Sequence, residues 1–313
     1  MKLLKFAPFV LLATAFSALA TTLPSSSDLQ QQDQRLLQIS NAIMAANAAL
    51  CDRTMPNLGV ALQSTDQYPA GAAPPFAAPV AFAAVIPGSA AAQAGIAPDD
   101  GLVTIDGRAI TKLPALSAAP LRDSAFAVVA QHPAGAPLVL GVVHGTEHRE
   151  VTLHASPECR VLVEVLADKG STAHSDGRVI QFSYGLVTRA DDRQLAAMFA
   201  HELGHVVLHH RERLSAAGVK KGLLGAIGRD RRLNLQAEAE ADRMSVYLLA
   251  NAGIDPRSGP GLWRSDLGRR LSAGHQSGTE RAKLMEQEIA AHLGGSSPYL
   301  PGELLAQRTQ PMR

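Results

Sequence analysis

Residues 191–210 read DDRQLAAMFAHELGHVVLHH, and the rest of the chain is read outward from them. Asp191 and Asp192 can cap a helix, and the apolar run behind them predicts one. It contains His201-Glu202-Leu203-Gly204-His205. Residues four apart share a helix face. The imidazoles of His201 and His205 therefore converge on one point, with Glu202 beside it. Such a pair suits zinc, which acidifies water and polarises a carbonyl while the carboxylate carries the proton. The competing reading is a helix with two surface histidines. Against it, Ala196, Ala197, Met198, Phe199, Val206, Val207 and Leu208 are apolar and would bury the histidines and Glu202, and buried polar groups need partners.

A catalytic zinc keeps three protein ligands and one open position. A metzincin would carry glycine at 208 and histidine at 211; Leu208 and Arg211 exclude that subclass. If the helix runs on through His209 and His210, the first lies two turns past His201 and the second is rotated off the face. Both then read as surface residues. Downstream, QAEAEAD at 236–242 opens a second helix. Glu238 and Asp242 share a face there, while Glu240 points elsewhere, toward solvent. An ordinary charged helix start, favoured by the macrodipole, is the alternative.

Together these helices resemble the HtpX- and BepA-like gluzincin metallopeptidases, the family that also holds the CaaX prenyl proteases. The resemblance runs over roughly residues 161–289. It includes Gly177-Arg178-Val179-Ile180, Gly185-Leu186-Val187, residues 238–243 and Ala252-Gly253-Ile254-Asp255-Pro256. It implies a mainly α metallopeptidase domain over 158–295 holding one zinc per chain. By resemblance the ligands are His201, His205 and Glu238, the general base is Glu202, and Asp242 orients a ligand or assists proton transfer. The family's His-Pro-x-x-x-x-Arg segment appears as HQSGTER at 275–281, without the proline. It makes His275 and Arg281 candidates for steadying an oxyanion, with a structural salt bridge as the alternative for Arg281. Where the family shows Asn-Ala on the strand that holds substrate, this chain has Thr172-Ala173.

Upstream, residues 51–157 consist of short β-branched runs (58–62, 102–105, 138–143) separated by Gly, Pro and Asp, which predicts a small, mainly β domain. With the α-rich remainder this makes the chain α+β. Pro87-Gly88-Ser89-Ala90, Ala94-Gly95, Asp99-Asp100-Gly101 and Asp106-Gly107-Arg108 resemble a PDZ domain of the bacterial protease-associated kind. That resemblance implies that Leu58, Gly59 and Val60, a loose match to the carboxylate-binding loop, meet a peptide terminus. A β domain that only packs on its neighbour is the alternative. Cys51 and Cys159 flank this unit and are the only cysteines. In an exported chain they read as one disulfide clipping the module at its base, contributing roughly 4 to 5 kcal/mol in the chain-entropy picture.

Export itself is read from the N-terminus. Lys2 and Lys5, an apolar run over 6–19 and Ala18-Leu19-Ala20 form a signal peptide over 1–20 cut after Ala20, hence a periplasmic or secreted protein. A retained anchor is the rival, but the run is short of the ~20 residues a span needs. Within 21–50, residues 27–50 repeat apolar positions at Leu36, Leu37, Ile39, Ile43 and Met44 and predict an amphipathic helix capped by Ser27 or Asp28. The tail 296–313 is expected to be loose. The basic stretch 211–235 reads as a solvated loop, with a lid or a membrane-surface contact as alternatives. A net charge of +1 with 4% aromatic residues argues against nucleic-acid partners, which call for a basic face or stacking platforms. The expectation is a zinc endopeptidase acting on protein or peptide substrates, misfolded exported ones by resemblance, with the β domain presenting substrate or regulating access. A chaperone-like peptide-binding protein with a latent or vestigial metal site, and a cell-wall peptidase, are the rivals.

Overall fold

A capped helix comes first, and both domains close on it. The computed structural model describes residues 24–68, 73–116, 119–220, 227–271 and 277–312, so the signal segment and His275 lie outside it. Helix α1 (Ser26–Ala46) begins at Ser25, whose hydroxyl accepts from the Asp28 N–H while Asp28 reaches back to the Ser25 backbone. The cap thus falls ahead of the expected Ser27 or Asp28, because this reciprocal pair needs its three-residue spacing. The apolar stripe of α1 then divides. Leu36, Ile43 and Met44 enter the core around Phe182, Phe199 and Leu203, whereas Leu37 meets Ala61 and Ala84 of the β domain. The helix is therefore a layer shared by the two domains rather than a unit packed on the second alone.

The β domain holds β1 (Thr54–Pro56), β2 (Val60–Ser64), β3 (Val80–Val85), α2 (Ala90–Gln93), β4 (Gly101–Ile105), β5 (Arg108–Ala109), α3 (Leu121–Val129), β6 (Leu138–His144) and β7 (Glu147–Leu153). Its antiparallel sheet runs β2-β3-β4-β6-β7, with β5 added to β4. Inward residues such as Phe82, Leu102, Ile105, Leu138 and Leu140 are fully buried beneath α3. Strand β8 (Pro157–Cys159) pairs with β1, Thr54 opposite Cys159, and the Cys51–Cys159 disulfide, with Cα atoms 5.5 Å apart, closes the same seam. The bridge sits where the two cysteines were expected to clip the module.

In the second domain, β9 (Leu162–Leu166) lies parallel to β11 (Val179–Ser183), and β10 (Ala173–Ser175) pairs antiparallel with β11 as the edge strand. Helices follow: α4 (Tyr184–Val187), α5 (Asp192–Val207), α6 (His210–Ala216), α7 (Gly228–Asn251), α8 (Ser258–Arg264), α9 (Asp266–Leu271), α10 (Gly278–His292) and α11 (Gly302–Gln307). Two expectations change here. Much of the basic stretch 211–235 is helical, belonging to α6 and to the start of α7. The tail is not loose either: α11 buries Leu304 in the main core, and Met312 packs on Leu233 and Ala237. Apolar burial of two side chains, with Asn251 hydrogen-bonded to Tyr299, holds a segment whose composition alone reads as disordered. Among the described residues no helix is long and apolar enough to cross a membrane.

Candidate metal centre

Helix α5 is set by a capping box in which Asp191 accepts from Gln194 N at 2.8 Å and Gln194 accepts from Asp191 N at 3.0 Å. Its apolar face, Leu195 to Ala200 with Leu203 and Val207, is buried. Gly204 explains how α7 comes close enough to share a site: a Cβ there would stand 3.0 Å from the Ala241 carbonyl oxygen and 3.3 Å from its Cα. Without a side chain at that crossing, the carboxylates of α7 reach the histidines of α5.

Three of the expected residues meet. His201 Nε2 and His205 Nε2 are 3.1 Å apart, and Glu238 places its two oxygens 3.4 Å from the first and 3.6 Å from the second. Tetrahedral zinc with ligands at ~2.0 to 2.1 Å separates its donor atoms by about 3.4 Å. The contacts are close to that spacing, each Glu238 oxygen lying nearest a different imidazole, and one donor atom from each of the three residues falls within 4.8 Å of the others. Two imidazoles and a carboxylate are also a donor set suited to zinc. The electrostatics agree. Burial alone would pull the His201 imidazole down, but its hydrogen bonds to Asp242 and Glu238 outweigh that and hold it up at about 9. Burial likewise opposes the charge on Glu238, yet His201, His205 and Arg281 keep its carboxyl well below the usual range. Burial and the neighbouring His201 push the His205 imidazole the other way, well below its usual range.

Around the donors stands a layer that orients them. Asp242 Oδ1 lies 3.0 Å from His201 Nδ1, so the carboxylate accepts a hydrogen bond from Nδ1–H and leaves Nε2 as the ligand atom. Arg281 grips both Asp242 oxygens at 2.7 Å, approaches Glu238 at 3.3 Å and stacks 3.5 Å over the Trp263 ring. The ion pair expected as one of the two roles of Arg281 is thus present, to Asp242. Glu202 lies beside the donors; burial pushes its carboxyl up to about 7 against the pull of His201.

Two residues read as surface are not. His210 is 1% exposed and Glu240 5% exposed, and they are hydrogen-bonded to each other at 3.0 Å. His210 also meets His205, Nδ1 to Nδ1, at 2.8 Å. The reason is a turn no helical wheel contains: α5 stops at Val207, His209 takes φ +53°, and α6 starts in a new direction at His210. Glu240 does face away from Glu238, but α6 covers that side. No local sequence signal marks this pair. The expected peptide-binding residues also lie elsewhere than in an open groove. Leu58, Gly59 and Val60 line a small, partly enclosed pocket together with Asn41 of α1, Glu158 of β8 and Val163 of β9. Gly59, at φ +69°, passes so close to Ser89 that a Cβ would sit 2.3 Å from its Cβ.

Fold and site together resemble a metallopeptidase domain of the gluzincin kind. Residues 170–229 match the model of peptidase family M48. Over 138 residues the chain is 29% identical to the mitochondrial metalloendopeptidase OMA1 of Arabidopsis thaliana, covering 36% of this chain and 27% of that protein. The chain thus spans about a quarter of the length of the curated relative it matches.

Proposed function

We propose that the protein is a zinc-dependent endopeptidase that cuts peptide bonds in exported proteins, misfolded ones foremost. The convergence of donor atoms from His201, His205 and Glu238 within 4.8 Å of one another, with Glu202 alongside, carries this reading. Zinc held by these three would polarise the scissile carbonyl and make water a stronger acid. Glu202 takes the proton of the attacking water as oxygen bonds to the carbonyl carbon, then gives it to the leaving amine as the C–N bond breaks. A carboxyl titrating near neutrality suits both halves of that transfer. His201 and His205 are kept in place by Asp242 and His210, and Arg281 holds Asp242.

Substrate would lie extended along β10, the edge of its sheet, where main-chain groups can add a strand. The β domain's role in this reading is control of access rather than capture, because its candidate loop packs against α1, β8 and β9. Export is supported by the basic and apolar N-terminal residues and by the disulfide, which suits an oxidising compartment.

The test compares the mature chain with Glu202→Gln for zinc content and for cleavage of casein. Zinc in both with cutting by the parent alone is the expected result. A parent that holds zinc and never cuts would favour a peptide-binding role, and a parent without zinc would remove the reading.

A further inference from the structure

We propose that His210 is a positioning residue of the metal centre: backed by Glu240 and Arg213, it fixes His205 in the tautomer whose Nε2 lone pair faces the ion. This rests on the metal-centre reading above. Arg213 Nη1 stands 2.6 Å from Glu240 Oε2, and Gln236 donates to Oε1 at 2.8 Å, so Glu240 is held as a carboxylate. A carboxylate only accepts, so the His210 Nε2 that meets it at 3.0 Å carries a proton. A neutral imidazole then has a bare Nδ1. That atom lies 2.8 Å from His205 Nδ1, and two lone pairs at that distance would repel, so the proton between them belongs to His205. His205 Nε2 is left bare, 3.1 Å from His201 Nε2 and 3.6 Å from Glu238.

The two histidine ligands are therefore oriented by different devices. A carboxylate does so directly for His201, whereas His205 has a second imidazole placed between it and the carboxylate. A histidine needed only for packing would have its Glu240 bond and no reason to meet His205 edge to edge, at 4.8 Å between ring centroids and 72° between planes.

Replacing His210 with Asn, Gln or Leu separates the roles of its two nitrogens. Asn keeps a polar acceptor near Nδ1 and loses the Glu240 contact; Gln reaches Glu240 and presents no acceptor at Nδ1; Leu has neither. Zinc dissociation constants of the mature chain would be measured by competition with a chromophoric chelator, with metal-free melting temperatures alongside. Orienting partners of metal ligands are typically worth 10- to 100-fold in affinity. We expect His210→Gln and His210→Leu to weaken zinc binding by about that factor and His210→Asn to keep most of it. The order reversed, with Gln retaining zinc and Asn losing it, would show a merely structural role and overturn the proposal. So would parent-like affinity in His210→Gln. Because Gln preserves the buried contact, its result does not hinge on whether Leu folds. A parent chain that takes up no zinc would instead bring down the metal-centre reading itself.

Discussion

Between α1, α3 and β9 the chain buries Asp33, Arg122 and Glu164; between α5 and α7 it buries His201 and Asp242 and half-buries Glu238. In the first region the groups satisfy one another. Arg122 meets Glu164 at 2.7 Å and Asp123 at 2.9 Å, Gln181 donates to Glu164, and Asp33 accepts from Val165 N at 2.9 Å and from Gln63, which in turn accepts from the Tyr68 hydroxyl. In the second, the atoms that could bind a cation face each other, two imidazole nitrogens at 3.1 Å. A polar cluster that closes on itself is a structural joint. One whose acceptors converge is a site that calls for a cation.

That contrast can be broken by experiment. The largest effect is expected at Glu238→Gln, which should remove zinc uptake and proteolysis while changing the denaturant stability of the metal-free chain by about 1 kcal/mol or less, since Gln keeps volume and polarity. A large loss of stability would show that the α5 and α7 cluster is itself a joint. Arg122→Met should do the reverse, costing roughly 3 to 5 kcal/mol because Glu164 is left buried without its partner. Urea melts showing little change would place that pair among the dispensable ones. Replacing Cys51 and Cys159 together by Ser should cost about 2 to 5 kcal/mol, since the bridge closes a long loop at the β1–β8 seam beneath the β domain. Preserved zinc affinity in that variant would confirm that the seam and the site are separable.

The smallest effect is a slope. Burial raises Asp33 from 3.8 to about 7, so between those values the folded chain holds a proton that the unfolded chain has released. Stability then falls as pH rises from about 4 to 7 and levels off above. Glu164 adds to the rise, while Arg122 and the Val165 N–H oppose it. Asp33→Asn should flatten that part of the pH profile in thermal melts, and an unchanged slope would mean that Asp33 is charged throughout.

What was legible in the sequence follows the range of each interaction. His201, Glu202 and His205 are one helical turn apart, so periodicity alone brings them together. Glu238 and Asp242 share a face by the same rule, but their arrival at the histidines depends on the α5 and α7 crossing at Gly204 and was reached only through family resemblance. The strands of both domains showed as apolar runs, and the cysteines flanked the module they now close. His210 and Glu240 escaped because helical extrapolation ran past the end of α5 into a residue at φ +53°. The tail and the divided stripe of α1 escaped because burial depends on the partner surface as much as on the segment.

By itself, then, the sequence determined the helix carrying the HExxH residues, the mainly β module before it and the acidic turn able to supply a third ligand, all of them consequences of local periodicity and residue chemistry. Only the tertiary structure decided that α1 belongs to both domains, that Leu58 to Val60 line a pocket shared with α1, β8 and β9, and that His210 stands behind His205. Each of those depends on which surfaces meet, and where two helices cross or a chain reverses is set by packing among residues far apart in sequence.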